Sequence, residues 1–178
     1  MHAAFDLFEE RGYDNTTVIE IAARAGLTKR TFFRHFADKR EVLFAGMAPL
    51  QDAMVAAVAA APASAGPLEV MASALDAAAD FFGEGSELAR RRRRIVAANP
   101  ELQERELIKL AGLAGALARE LRARGVSDPT ALLTAEAAVT VLRVALERWT
   151  DEPGEDDLRR LIRTSLDELR AVVAGAPA

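Results

Sequence analysis

Cysteine is absent from this chain of 178 residues. Disulfides and thiolate metal sites are thereby excluded. Histidine is nearly absent too, His2 and His35 being the two in the sequence. No metal-ligand spacing can be written from them. No nucleophile elbow and no glycine-rich phosphate loop occurs either, so the sequence predicts no metal, no cofactor and no enzyme. Runs of Val, Ile and Thr alternating with period two are missing, which argues against a sheet. No apolar run reads as long and uncharged enough to span a bilayer, and no signal peptide is visible. A cytoplasmic protein without membrane contact is the expectation.

What is plentiful is alanine and helix punctuation. Hydrophobic residues make up 51 % of the chain, and alanine supplies many of them. Alanine-rich amphipathic segments favour helix, so an all-α fold of about nine helices is predicted. Helix one is expected over 2–12, with Ala4, Phe5 and Phe8 inward and Gly12 at its end. Nothing caps its start, which predicts a first helix truncated at its beginning. Helix two is expected over 17–24 and helix three over 28–35, with Tyr13 and Val18 closing a small core against Phe32 and Phe36. Asp38 and Glu41 have capping-box spacing. Helix four is therefore expected from 38 to about 60, with Pro49 kinking or breaking it. Residues 61–67 read as a linker, and Pro67 suits a first helical turn. Helices five to nine follow at about 67–82, 86–97, 100–123, 129–149 and 155–173. A domain boundary is placed near 45, inside helix four, giving domains 1–45 and 46–178. A helix shared by both would act as a lever.

The most informative stretch is 16–41, TTVIEIAARAGLTKRTFFRHFADKRE. Thr17 and Glu20 again have capping-box spacing. Gly26 ends the helix, taking positive φ cheaply. Thr28 is placed to cap the next helix. Phe32 and Phe36, four apart, share one face. Two short helices joined by a tight glycine turn read as a helix-turn-helix, and Ala22 and Gly26 suit the closest approach of the pair. Between 24 and 40, Arg24, Lys29, Arg30, Arg34, Lys39 and Arg40 meet Asp38 as the one acid, on a chain of net charge −4. A solvated helix pair with surplus cations is the plain alternative. Turn and charge together point instead to duplex DNA.

The stretch resembles the DNA-binding part of the TetR/AcrR regulators. The residues that carry the likeness are Leu7-Phe8, Gly12-Tyr13, Thr16-Thr17-Val18, Ile21-Ala22, Ala25-Gly26, Thr31, Phe32-Phe33, His35-Phe36 and Lys39. On the recognition helix, Lys29 and Arg30 are expected at base edges, Arg being suited to guanine. Thr28 and Thr31 are expected at phosphate or base, and His35 at phosphate. Thr17 is expected to donate to phosphate from a helix start. Lys39 is a phosphate contact carried over from the family pattern. Phe33 stands where the family usually has a tyrosine that binds phosphate, so that contact is lost or passes to Arg34.

Past residue 45 the sequence offers amphipathic helices. Leu158, Leu161, Ile162, Leu166, Leu169, Val172 and Val173 follow three-four spacing in helix nine. Helix eight presents Leu132, Leu133, Val139, Leu142, Ala145, Leu146 and Trp149, and is apolar or small around much of its girth. Such a helix needs cover on two sides. The two helices could pack on their own core. A four-helix interface between two subunits would also cover them, and the resemblance implies that this pair forms a homodimer. Two recognition helices about 34 Å apart then read a palindrome. The resemblance also implies a ligand cavity among helices four to eight. Candidate lining is Met54, Met71, Leu75, Phe82, Leu107, Leu110, Leu113, Leu117 and Val139. Each could equally be core filling, although Met and Phe suit an adaptable cavity for a small apolar or amphipathic effector. Arg143 either holds a ligand anion or pairs with Glu147 or Glu136. The cost of an unpaired buried charge favours pairing. The unbroken run Arg90 to Arg94 covers every helix face and reads as a solvated helix pairing with neighbouring acids. The function expected is a ligand-responsive repressor binding a palindromic operator as a homodimer. The alternative keeps the DNA and replaces the effector by a protein partner or by nothing.

Overall fold

The computed structural model describes residues 1–83, 86–151 and 157–175. Among these residues the secondary structure is wholly helical. In chain order come α1 (His2–Arg11), α2 (Val18–Arg24), α3 (Lys29–His35), a 3₁₀ turn (Arg40–Val42), α4 (Met47–Ala60), α5 (Pro67–Phe82), α6 (Ser86–Ala97), α7 (Pro100–Ala123), α8 (Asp128–Asp151) and α9 (Leu158–Val173). The start expected for helix nine, 155, lies outside the described residues.

Helix four departs from expectation. Asp38 does cap, but what it caps is the 3₁₀ turn: its Oδ1 accepts from the amides of Arg40 at 2.8 Å and Glu41 at 3.2 Å. Residues 43–46 are turns, and the α-helix starts at Met47. Pro49 therefore falls in a first turn, where its missing N–H has no partner to lose. It marks a beginning and kinks nothing. No continuous helix leaves residue 38, and the lever reading goes with it.

The chain divides into two compact units, Met1–Met47 with Leu88–Leu107, and Ala48–Glu87 with Ile108–Ala178. One break between the units falls between Met47 and Ala48. Unexpectedly, α6 and the first part of α7 group with the amino-terminal helices. The physical reason is core size. Helices α1 to α3 are ten, seven and seven residues long and enclose little by themselves. Their core of Phe5, Leu7, Phe8, Tyr13, Ile21, Ala22 and Phe32 is completed by Val42, Leu43 and Phe44, and by Ile95, Val96 and Leu102.

The arginine run supports the same unit. The Arg91 guanidinium meets Asp6 Oδ1 at 2.6 Å and Glu9 Oε2 at 2.8 Å. It thereby holds both carboxyl groups below their usual range. Arg92 donates to the Leu43 carbonyl at 2.9 Å and to Glu106 at 2.8 Å, and lies 4.9 Å over the Phe44 ring. Arg105 binds Glu41 at 2.6 Å. A run that covers every helix face serves several partners at once.

In the second unit α5, α8 and α9 pack on one another. Ala131, Ala135, Ala138 and Ala145 are buried along α8, small enough to let its neighbours approach closely. Arg159 joins α9 to α5 through Asp76 at 2.7 Å and through Asp80. Arg124 closes the end of α4, donating to the carbonyls of Val58, Ala61 and Pro62 at 3.2, 2.9 and 2.6 Å. By length and composition α8 is apolar enough to cross a membrane, contrary to the sequence reading. Buried residues make up 39 % of that window, on the side where α8 packs against α5 and α9.

Candidate nucleic-acid interface

The helix pair is assembled from local signals. Thr17 Oγ1 accepts from the Glu20 amide at 3.3 Å, and Glu20 Oε2 accepts from the Thr17 amide at 2.8 Å, a complete capping box. After α2, Gly26 takes φ +67°. The Leu27 amide then reaches the Ala22 carbonyl at 2.8 Å, and the Gly26 amide reaches Ala23 at 3.1 Å, which is a Schellman closure. A side chain at Gly26 would meet nothing within 4 Å. The glycine is thus required for its φ, and the expectation of a close helix crossing there is corrected. Thr28 Oγ1 accepts from the Thr31 amide at 3.1 Å and starts α3. Phe32 is buried, its ring 5.3 Å from that of Phe36. That anchors one side of α3 and leaves Lys29, Arg30, Phe33, Arg34 and His35 exposed.

Electrostatics separates the cations into two groups. Arg11 pairs with Glu20 at 2.7 Å, Arg24 with Glu10 at 2.8 Å and Arg40 with Asp38 at 2.6 Å. These pairs hold the three carboxyl groups below their usual range, Glu20 mainly through its bonds from Thr17. The side chains of Lys29, Arg30 and Arg34, and of His35 beside them, make no hydrogen bond or ion pair among the described residues; Lys29 lies 5.9 Å from the centre of the exposed Phe33 ring. Positive charge free for a polyanion is therefore concentrated on α3. This is narrower than the six-residue patch read from the sequence.

Two expected phosphate donors are already occupied. The Thr17 hydroxyl donates to Glu20 Oε2 at 2.8 Å. Lys39 Nζ donates to the carbonyls of Tyr13 at 2.7 Å, Thr16 at 3.2 Å and Asp14 at 3.4 Å, with the Tyr13 ring centroid 4.1 Å away. The Tyr13 hydroxyl is buried without a hydrogen-bond partner. Burial, with the Glu101 carboxylate nearby, raises its pKa above the usual phenol value. Thr28 and Thr31 share their hydroxyls at 3.0 Å at the head of α3.

The second unit holds the expected pocket and dimer residues. Met54, Met71, Leu75 and Leu117 are each 0 % exposed and Leu113 is 1 % exposed, packed in the interior of this unit. Phe82 is half-buried, its ring 6.1 Å from that of Trp149, and Leu110 is also half-buried. Leu107 is 65 % exposed, on the outward side of α7. Arg143 is exposed and pairs with Glu147 at 3.1 Å, one turn on. It is not a buried anion receptor. Of the expected dimer residues, Val139, Leu142, Trp149, Leu158, Ile162 and Leu166 are buried within their own unit. Leu146, Leu161 and Leu169 are half-buried, and Leu132 is exposed. Leu133 on α8 and Val172 and Val173 on α9 are exposed as well. Among the described residues no cluster of three His, Asp or Glu could hold a metal ion.

Comparison with known proteins covers most of the chain. Residues 1–45 match the family model described as bacterial regulatory proteins, tetR family. Residues 65–174 match that of the MftR C-terminal domain. The HTH-type transcriptional regulator TcmR of Streptomyces glaucescens is 35 % identical over 127 residues, covering 68 % of this chain and 56 % of TcmR. The chain thus spans little more than half the length of that relative. A putative TetR-family regulator from Syntrophomonas wolfei superposes with a TM-score of 0.69 at 16 % identity, covering 99 % of this chain and 94 % of that one. Thermus thermophilus FadR, a TetR-family repressor solved with lauroyl-CoA, gives a TM-score of 0.57 at 23 % identity, covering 99 % and 93 %. These two likenesses establish a common fold. With residues 1–45 and 65–174 both matched by family models, and with regulators rather than enzymes for relatives, the chain belongs to the TetR family of transcriptional regulators.

Proposed function

We propose that the chain represses transcription from a palindromic operator, which it binds as a homodimer with one α3 in each half-site. The observation that carries this reading is the separation of charge in the first unit. Acids neutralise Arg11, Arg24 and Arg40, while Lys29, Arg30, Arg34 and His35 stand exposed on one helix. In this reading Arg30 reads a base edge with Lys29 beside it, Arg34 and His35 meet phosphate, and Thr28 and Thr31 stand at the head of the helix, at phosphate or base. Exposed Leu132, Leu133, Val172 and Val173 supply an apolar patch for the second subunit. The setting is the cytoplasm, where such a duplex is met.

A binding titration against a duplex enriched from a random pool, and against its scrambled form, tests the reading. Arg30→Ala is expected to cost about 1–3 kcal/mol on the enriched duplex and to narrow the gap between the two. Equal losses on both duplexes would reject base reading by Arg30.

For regulation, the working reading is release by a small apolar or amphipathic effector; the fold is shared with a repressor solved with lauroyl-CoA. The packed state of Met54, Met71, Leu75 and Leu117 favours a second reading, in which a protein partner or no effector at all sets occupancy. Native mass spectrometry of the purified dimer separates the two. A bound mass that leaves on denaturation, and that weakens duplex binding when added back, supports the effector.

A further inference from the structure

The Lys39 ammonium is enclosed rather than presented. Its contacts are three carbonyls of the α1–α2 connection, those of Tyr13, Asp14 and Thr16, and the face of the Tyr13 ring. An ammonium has three N–H bonds, and each has an acceptor here. The connection is itself tied down, since Thr16 Oγ1 lies 2.8 Å from the Gly12 carbonyl and 3.2 Å from that of Leu7. Lys39 follows α3 by four residues and binds the segment that precedes α2. Its bonds therefore close a ring through the connection, α2, the Gly26 turn and α3.

We propose that Lys39 is a positioning residue for DNA binding: it fixes the pose of α3, and with it Lys29, Arg30 and Arg34, without touching the duplex. The assignment rests on the duplex-binding reading. It differs from a phosphate contact in its chemistry. A phosphate contact needs a positive charge, which Arg supplies as well as Lys. A cage of three carbonyls around one nitrogen needs a compact ammonium, and a planar guanidinium does not fit it.

The test compares wild type, Lys39→Arg and Lys39→Met on the duplex enriched by wild type, across a salt series and well below each variant's melting temperature. Positioning predicts that both variants lose affinity about equally, tenfold or so, while the slope of log affinity against log salt stays at the wild-type value. A phosphate contact predicts that Lys39→Arg keeps its affinity and that Lys39→Met lowers the slope by about 0.9 per site. A role confined to folding predicts lower melting temperatures with normal duplex binding. Either of the last two results overturns the proposal. A wild type that ignores every duplex overturns the duplex reading first, and this assignment with it. A second measurement needs no variant. In ¹⁵N-lysine spectra of wild type the Lys39 ammonium should exchange slowly and hold its position as duplex is added, and a large shift on addition would refute the enclosure.

Discussion

Arg24 and Arg34 lie ten positions apart in the basic stretch, and sequence alone treats them as equals. The structure does not. Arg24 holds Glu10 through two bonds, at 2.8 and 3.0 Å, whereas Arg34 is exposed and makes no ion pair among the described residues. Replacing each by Gln should then give different salt dependences. A cation that neutralises a phosphate releases a counterion, with a slope of roughly 0.9 per contact on B-DNA. Losing the Arg34 contact from both subunits lowers the slope by about 1.8. Over a fourfold range of salt, one contact is worth about 3.5-fold in affinity and two about 12-fold. Arg34→Gln should therefore bind markedly more weakly at low salt and approach wild type at high salt. Arg24→Gln should leave the slope unchanged, its one cost being the unpaired Glu10 carboxylate that it exposes. Fluorescence anisotropy with a labelled duplex, stepped through the salt range, reads both. If Arg24→Gln flattens the salt dependence as much as Arg34→Gln, pairing within the free protein does not govern which cations meet DNA, and the assignment of the interface to α3 fails.

Three further outcomes follow from packing and charge. Leu133 is 71 % exposed while Ile162 is 1 % exposed, so Leu133→Glu should halve the sedimenting mass and leave the helical spectrum intact, whereas Ile162→Glu should unfold the second unit. Met71→Ala should destabilise that unit by about 2–5 kcal/mol in urea titration, since it leaves a cavity in a packed core; a loss under 1 kcal/mol would show that the site collapses or already holds space. Asp6 and Glu9 have folded pKa values lowered by Arg91. Their pairing therefore contributes stability above the ordinary carboxylate pKa of about 4, and that contribution fades as pH falls through the folded values. Melting at low salt should show a steeper acid limb for wild type than for Arg91→Leu, and parallel limbs would count against the clamp.

The legible part of this protein was the part written within one helical turn. Thr17 with Glu20, Thr28 with Thr31, and Gly26 at +67° act over four residues or fewer, and the sequence by itself determined α2, the turn and α3 from them. The same holds for Pro67 at the start of α5 and for the Arg143–Glu147 pair. Where two local signals competed the reading failed: Asp38 and Glu41 resembled a helix start, but Pro49 is accommodated in a first turn, so the helix begins at Met47.

What the tertiary structure alone decided was which groups are already spent. Glu10 is 14 residues from Arg24, Tyr13 is 26 from Lys39, and Asp6 is 85 from Arg91. No periodicity reports such partners. The same applies to α8 and α9, whose apolar positions the sequence could identify but not divide between an internal core and a second subunit. In the fold Val139, Leu142 and Ile162 are buried against their own unit, which no spacing along the chain reports. Spacing along a chain determines which face a side chain occupies, and only the fold determines what lies opposite it.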